Sequence, residues 1–179
     1  MYSVDDRDRV VELQDVPQCE TGAPLPLVLA DDNHLLLGYL ISKPDPNWDG
    51  TYVNVVGPTS EDRPVAIVRF DRPYAHMFGP PNDEAFGGHP LAARGLMPYG
   101  AFEVPDSSWI RALERMNSVH ARHNREWFLE GKRHFIFVFH DSTFECVATN
   151  YVVERLRGSL VLGFDRMREL FTKSWTHTP

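Results

Sequence analysis

Between residues 73 and 100 the chain places Pro73, Gly79, Pro80, Pro81, Gly87, Gly88, Pro90, Gly95, Pro98 and Gly100. Proline fixes φ and removes a backbone donor, and glycine costs a regular element backbone entropy. A segment this dense in both cannot hold a long helix or an uninterrupted strand, so 73–100 reads as a long loop with one short helical turn near Leu91–Arg94. Tyr74, Met77, Phe78, Phe86, Leu91, Leu96 and Tyr99 lie within it, and a disordered linker lacks such groups. The loop is therefore expected to pack, and long ordered loops often carry function.

Before this loop the signals are those of strands. Leu27–Ala30 and Leu35–Ile41 are apolar runs split by Asp31-Asp32-Asn33, the pattern of a hairpin. Thr51–Val56 and Pro64–Phe70, rich in β-branched residues, predict two more strands. Residues 1–24, interrupted by Pro17, Gly22 and Pro24, read as an irregular lead-in.

After the loop, Asp106, Ser107 and Ser108 offer an N-cap just past Pro105. Trp109, Leu113, Met116 and His120 recur at helical spacing, which predicts a helix ending near Arg122–Asn124. His134–His140 is the clearest strand: Phe135, Phe137 and Phe139 share one face, and His134, Ile136, Val138 and His140 the other. Asp141-Ser142-Thr143 either turns the chain into a second strand, Phe144–Val153, or sits within one long kinked strand. Phe164, Met167, Leu170, Phe171 and Trp175 predict an amphipathic C-terminal helix. The expected architecture is a single α+β domain over 1–179. It has a mostly antiparallel sheet of about six strands, a meander or partly closed barrel, with one central and one C-terminal helix.

Charge narrows the function classes. The formal net charge is -7, and an acidic chain lacks the electrostatic footprint of a nucleic-acid binder. Arg111, Arg115, Arg122, Arg125, Lys132 and Arg133 cluster in sequence, but Glu114, Glu126 and Glu130 alternate with them, so they read as a solvated mixed-charge face. Leu35–Ile41, the longest apolar stretch, is far too short to span a bilayer. Two distant cysteines, Cys19 and Cys146, and a polar start without an apolar leader make a cytoplasmic protein the expectation.

Three groupings carry chemistry. His120 and His123 stand three apart, a spacing that on a helix supplies two ligands to a divalent transition metal; the competing reading is a pair of histidines complementing a helix C-terminus. His140-Asp141-Ser142-Thr143-Phe144-Glu145-Cys146 packs an imidazole, two carboxylates, two hydroxyls and a thiol into seven residues. There His140 could serve as a general base, with Asp141 or Glu145 orienting it. The bland alternative is a hairpin turn, and Cys146 beside Phe144 and Ala148 reads as a core cysteine. In the loop, Gly87-Gly88-His89-Pro90 places a histidine beside glycines that let backbone approach a ligand, and Asn82-Asp83-Glu84 adds carboxylates. Arg94 and Arg111 could each clamp an anion.

The expectation is a small-molecule-binding enzyme using His/carboxylate acid–base or metal-assisted chemistry. Its polar groups would come from His89, His120, His123, His140, Asp141 and Glu145. The alternative is a non-catalytic interaction domain with the 73–100 loop as contact surface and Trp48, Phe78 or Trp127 as anchors.

Overall fold

The alternation in His134–His140 is built into the centre of a sandwich. The computed structural model describes residues 2–44, 46, 49, 51 and 55–175. Nine strands are present among them: β1 (Val11–Glu12), β2 (Leu27–Ala30), β3 (Leu35–Leu40), β4 (Arg63–Asp71), β5 (Ala75–Gly79), β6 (Ala101–Glu103), β7 (Arg133–Val138), β8 (Thr143–Ala148) and β9 (Asn150–Gly158). They form two antiparallel sheets, ordered β1-β6-β7-β8-β5 and β2-β3-β4-β9. The α+β class holds. The count of about six strands is corrected to nine, and the meander or partly closed barrel to two separate sheets.

Between the sheets lies an aromatic core. Phe135, Phe137 and Phe139 meet Phe144, Cys146 and Ala148 on one side and Leu35, Leu37, Tyr39, Val68 and Phe70 on the other. Burying one such ring contributes roughly 1.5–3 kcal/mol, so this layer is a principal source of stability. All six residues of β3 and of β8 are buried, because each sheet is also covered on its outer face. Strands sealed on both faces need no polar alternation, which is why they read as continuous apolar runs.

Helix α3 (Leu160–Trp175) covers the four-stranded sheet, seating Met167 and Phe171 on Leu36 and Ile67. The approach is close because glycine sits at two contacts. A Cβ on Gly38 would fall 2.6 Å from Met167 Sδ, and one on Gly163 would fall 2.8 Å from Val65 Cγ1. The glycine that interrupts the β3 run is thus the seat of the helix.

On the five-stranded sheet the cover is α1 (Ser108–Asn117), α2 (Arg125–Leu129) and the 73–100 segment. Of the three N-cap candidates Asp106, Ser107 and Ser108, Ser107 caps α1, its Oγ accepting the amide N–H groups of Trp109 and Ile110. The helix stops at Asn117, short of Arg122–Asn124, where Ser118 turns its hydroxyl onto the Arg115 carbonyl. Asn124 then caps the separate α2, so the single central helix is corrected to two short ones. The 73–100 segment carries more order than one helical turn: β5 adds an edge strand, and two single-turn 3-10 helices, Phe86–Gly88 and Ala92–Arg94, bury Phe86 and Leu91 against Ile136 and Val138.

Thr143 begins β8, which decides for the hairpin; the chain then crosses to the other sheet at Thr149, whose amide and hydroxyl both bond the Asp71 carbonyl. Of the strand expected over 51–56, Tyr52, Val53 and Asn54 lie outside the described residues, as does Trp48. No helix among the described residues is long and apolar enough to cross a membrane.

Candidate functional site

Two histidine–carboxylate clusters form around the β7–β8 hairpin, one on its outer face and one at its turn. The first is centred on Glu145, which pairs with Ile136 in register and so points away from the aromatic core. His134 from β7, His89 from the glycine-rich segment and Tyr2 from the first residues of the chain converge on its carboxylate. His89 Nε2 lies 3.1 Å from Oε1, His134 Nε2 2.9 Å from Oε2, and the Tyr2 hydroxyl donates to Oε2 at 2.7 Å.

Hydrogen bonding assigns the protons in this cluster. His89 Nδ1 accepts the Leu91 amide N–H at 3.1 Å, so its Nε2 is the donor. Ser107 Oγ already accepts two amides at the head of α1, so its own proton goes to His134 Nδ1, 2.9 Å away. Glu145 is therefore a carboxylate accepting three hydrogen bonds. Burial alone pushes its carboxyl up, but the hydrogen bonds from His134, His89 and Tyr2 outweigh that and hold it at about 2. Burial and the adjoining Glu145 charge push the Tyr2 phenol far above its ordinary range.

The His89 and His134 side chains are 0% exposed, and Glu145 3%. Tyr2 stacks on Trp109, and both pack against His134, closing the remaining side. The cluster is hydrogen-bonded throughout and buried, and it ties the chain start, the loop and α1 to the sheet.

The second cluster is open. His140 sits in the turn between β7 and β8, with its side chain 41% exposed. Its Nδ1 is 2.9 Å from Asp83 Oδ2 and 3.2 Å from the Tyr99 hydroxyl, and Tyr99 donates to the same carboxylate oxygen. Asp83 is brought there by main-chain contact, its amide N–H bonding the His140 carbonyl at 2.9 Å, while Thr143 Oγ1 fastens the neighbouring Pro81 carbonyl. Asp83 Oδ1 is shielded from solvent and takes no hydrogen bond among the described residues.

The electrostatics of this cluster follow from Asp83. Its hydrogen bond, then its charge, raise the His140 imidazole despite some opposing desolvation. The bond from Tyr99 and then that from His140 lower the Asp83 carboxyl. The same contact and partial burial push the Tyr99 phenol up to about 12, so it stays a neutral donor. His140 Nε2 makes no hydrogen bond among the described residues and lies 3.9 Å from the exposed Asp141 carboxylate, on a side chain that is partly open to solvent.

Tyr99 also lines a cavity of about 390 Å3 at the β1–β6 edge, with Leu13, Val16, Cys19, Tyr39 and Phe139 among its walls and Glu12 as a carboxylate. Burial raises the Cys19 thiol to about 12, which keeps it protonated. Cys146, in the inter-sheet core, is also pushed up by burial.

The sequence-derived candidates therefore separate. Glu145 and His89 meet each other but not His140, whose carboxylate partner is Asp83; Asp141 is 86% exposed. His120 and His123 lie beyond the end of α1, so the helical face they were expected to share is absent. His120 Nδ1 accepts the Arg122 amide, and His123 bonds Glu114 and Asn117. Among the described residues no group of three or more His, Cys, Asp or Glu side chains is placed to hold a metal ion. Asp83 stood in a stretch marked by its carboxylates. Tyr99 had no local signal, since only the fold sets it beside His140. Compared with known proteins, the chain matches no family model, no curated protein and no solved structure.

Proposed function

We propose that this chain binds a small molecule in the 390 Å3 cavity beside Tyr99 and moves a proton on it with His140. The observation that supports this is a partly exposed imidazole whose Nδ1 is held by Asp83 while its Nε2 takes no hydrogen bond among the described residues and has only the exposed Asp141 carboxylate at 3.9 Å. A carboxylate behind an imidazole fixes its orientation and stabilises the imidazolium as it forms, which is what general acid–base catalysis asks of the pair. Tyr99 links cavity and imidazole, and Asp83 Oδ1 retains unused acceptor capacity. His89 and Glu145 are assigned a structural part.

The alternative of a contact surface keeps its own support: Phe86, Leu91 and Leu96 of the loop are buried inward, but Tyr74, Phe78 and Met97 are exposed.

A fragment screen by amide NMR tests the proposal. Binders are expected to shift the amides of Leu13, Val16, Cys19 and Gly100 and to displace the His140 titration. Binders that collect elsewhere, or that leave His140 titrating unchanged, would overturn it.

A further inference from the structure

Independent of that cavity, the opposite end of the five-stranded sheet carries a surface whose charges are not spent. A groove of about 750 Å3 is lined by Arg72, Tyr74, Trp127, Glu130 and Lys132. It shares Lys132 with a cleft of about 240 Å3 beside Ser107, into which Arg7, Arg111, Arg125 and Arg133 also project.

Most of the arginines in the cleft are already neutralised. Arg133 forks onto Glu103 at 2.9 and 2.6 Å, Arg7 pairs with Asp5 at 3.0 Å, and Arg111 lies between Asp5 and Asp8 at 2.8 and 3.7 Å. Arg125 reaches Glu114 only at 3.8 Å. Lys132 and Arg72 have no carboxylate partner among the described residues. Lys132 Nζ instead donates to the Phe128 carbonyl and sits over the Phe128 and Tyr74 rings at 4.3 and 5.2 Å. Partial burial disfavours its charged form, and an anion bound there would offset that cost.

In the aromatic half of the groove Tyr74 packs edge-on against Phe128, while the Trp127 ring is left open. Trp127 is 80% exposed and Tyr74 45%, and the Trp127 ring stacks on no other ring among the described residues. An exposed indole beside unpaired cations presents a π face and a positive charge to the same ligand, and base–aromatic stacking contributes about 1–3 kcal/mol per base.

We propose that the groove and the cleft together bind a nucleoside phosphate, with the base against Trp127 and Tyr74 and the phosphates at Lys132, Arg72 and Arg125. The six basic residues that read as a solvated mixed-charge face in sequence are thereby divided. Arg111, Arg125, Lys132 and Arg133 converge on the cleft; Arg111 and Arg133 are closely paired, Arg125 reaches Glu114 at 3.8 Å, and Lys132 has no carboxylate partner among the described residues.

Calorimetry on the whole chain with ADP, pyrophosphate and adenosine as separate probes tests this. ADP is expected to bind more tightly than either part. Arg72→Gln, at an exposed position, and Lys132→Gln should each weaken it about tenfold, near 1.4 kcal/mol. Trp127→Phe should weaken ADP severalfold and leave pyrophosphate unchanged. Circular dichroism melts at the wild-type temperature would show that these variants fold, and Arg72→Gln carries the test if Lys132→Gln does not. Three results would overturn the proposal: no ADP binding at millimolar concentration, ADP affinity indifferent to Arg72→Gln, or pyrophosphate binding as tightly as ADP. Binding of phosphatidylserine vesicles without ADP binding would replace it with a membrane surface.

Discussion

The two histidine–carboxylate clusters use the same chemical groups on neighbouring parts of one hairpin and come to opposite ends. Around Glu145, two imidazoles, a phenol and a serine hydroxyl each have a partner, and water has no entry. Around Asp83, one imidazole nitrogen and one carboxylate oxygen are left over, and the ring stands partly in solvent. A buried network is stable only when every member is satisfied, and a satisfied member has nothing to offer a substrate. What separates a strut from a site here is therefore unspent hydrogen-bond capacity. Residue type and local density in sequence do not distinguish them.

The largest effect should come from breaking the sealed cluster. Glu145→Gln removes the charge and turns an amide NH2 towards groups that are themselves donors. Breaking a buried charged contact of this kind costs about 3–5 kcal/mol, a large share of the ~5–15 kcal/mol that holds a domain folded. Urea unfolding measures it, and a loss under 1 kcal/mol would mean the cluster is not the strut described. The pH dependence has a definite sign. Glu145 is held at about 2, below the ordinary carboxylate value, so its contribution is complete above that ordinary value and is lost as pH falls towards 2. The wild type should lose stability through that acid window, and the variant should lack that part of the slope.

How much of this was readable beforehand differs between fold and site. The β2–β3 hairpin, the Ser107 cap and the face alternation of β7 are local: each depends on residues a few positions apart, and each is where the sequence placed it. The two-sheet arrangement was not local. β3 and β8 are buried on both faces, so their apolar runs carry no alternation to say which sheet they join. The grouping of the candidate site residues is non-local for a related reason. His140 and Glu145 are five residues apart and look like partners, yet Glu145 lies within β8 and His140 in the turn. His140 meets Tyr99 and Asp83, 41 and 57 residues away, and Glu145 meets His134, His89 and Tyr2, 11, 56 and 143 residues away. Asp141, adjacent to His140, points to solvent, while Asp83 reaches it through a main-chain contact that no spacing encodes.

A smaller effect sharpens the sealed half. Tyr2→Phe keeps the stack on Trp109 and deletes only the hydrogen bond to Glu145. A bond to a charged acceptor contributes about 1.5–3 kcal/mol. The variant should therefore fall between wild type and Glu145→Gln in urea, with its melting temperature lowered in proportion. Equality with wild type would show that the start of the chain is held by ring packing alone.

The smallest effect on stability, and the sharpest test of the open half, is Asp83→Asn. The residue keeps its size and its amide contact to the His140 carbonyl but loses the charge that raises the imidazole. The His140 proton resonances should then titrate lower, towards the ordinary imidazole value of about 6.5, with the fold unchanged. A raised imidazole contributes stability below its ordinary value and loses it as pH rises through the folded one, so the variant should lose a little stability on the acid side and none on the alkaline side. Because the group is solvent-screened, that loss should be far smaller than at Glu145. If instead Asp83→Asn unfolds the protein as Glu145→Gln does, the open cluster is a second strut and the contrast drawn here fails. If the titration moves and the fold does not, Asp83 is tuning a proton acceptor that the fold leaves unoccupied, which is the condition a catalytic imidazole must meet.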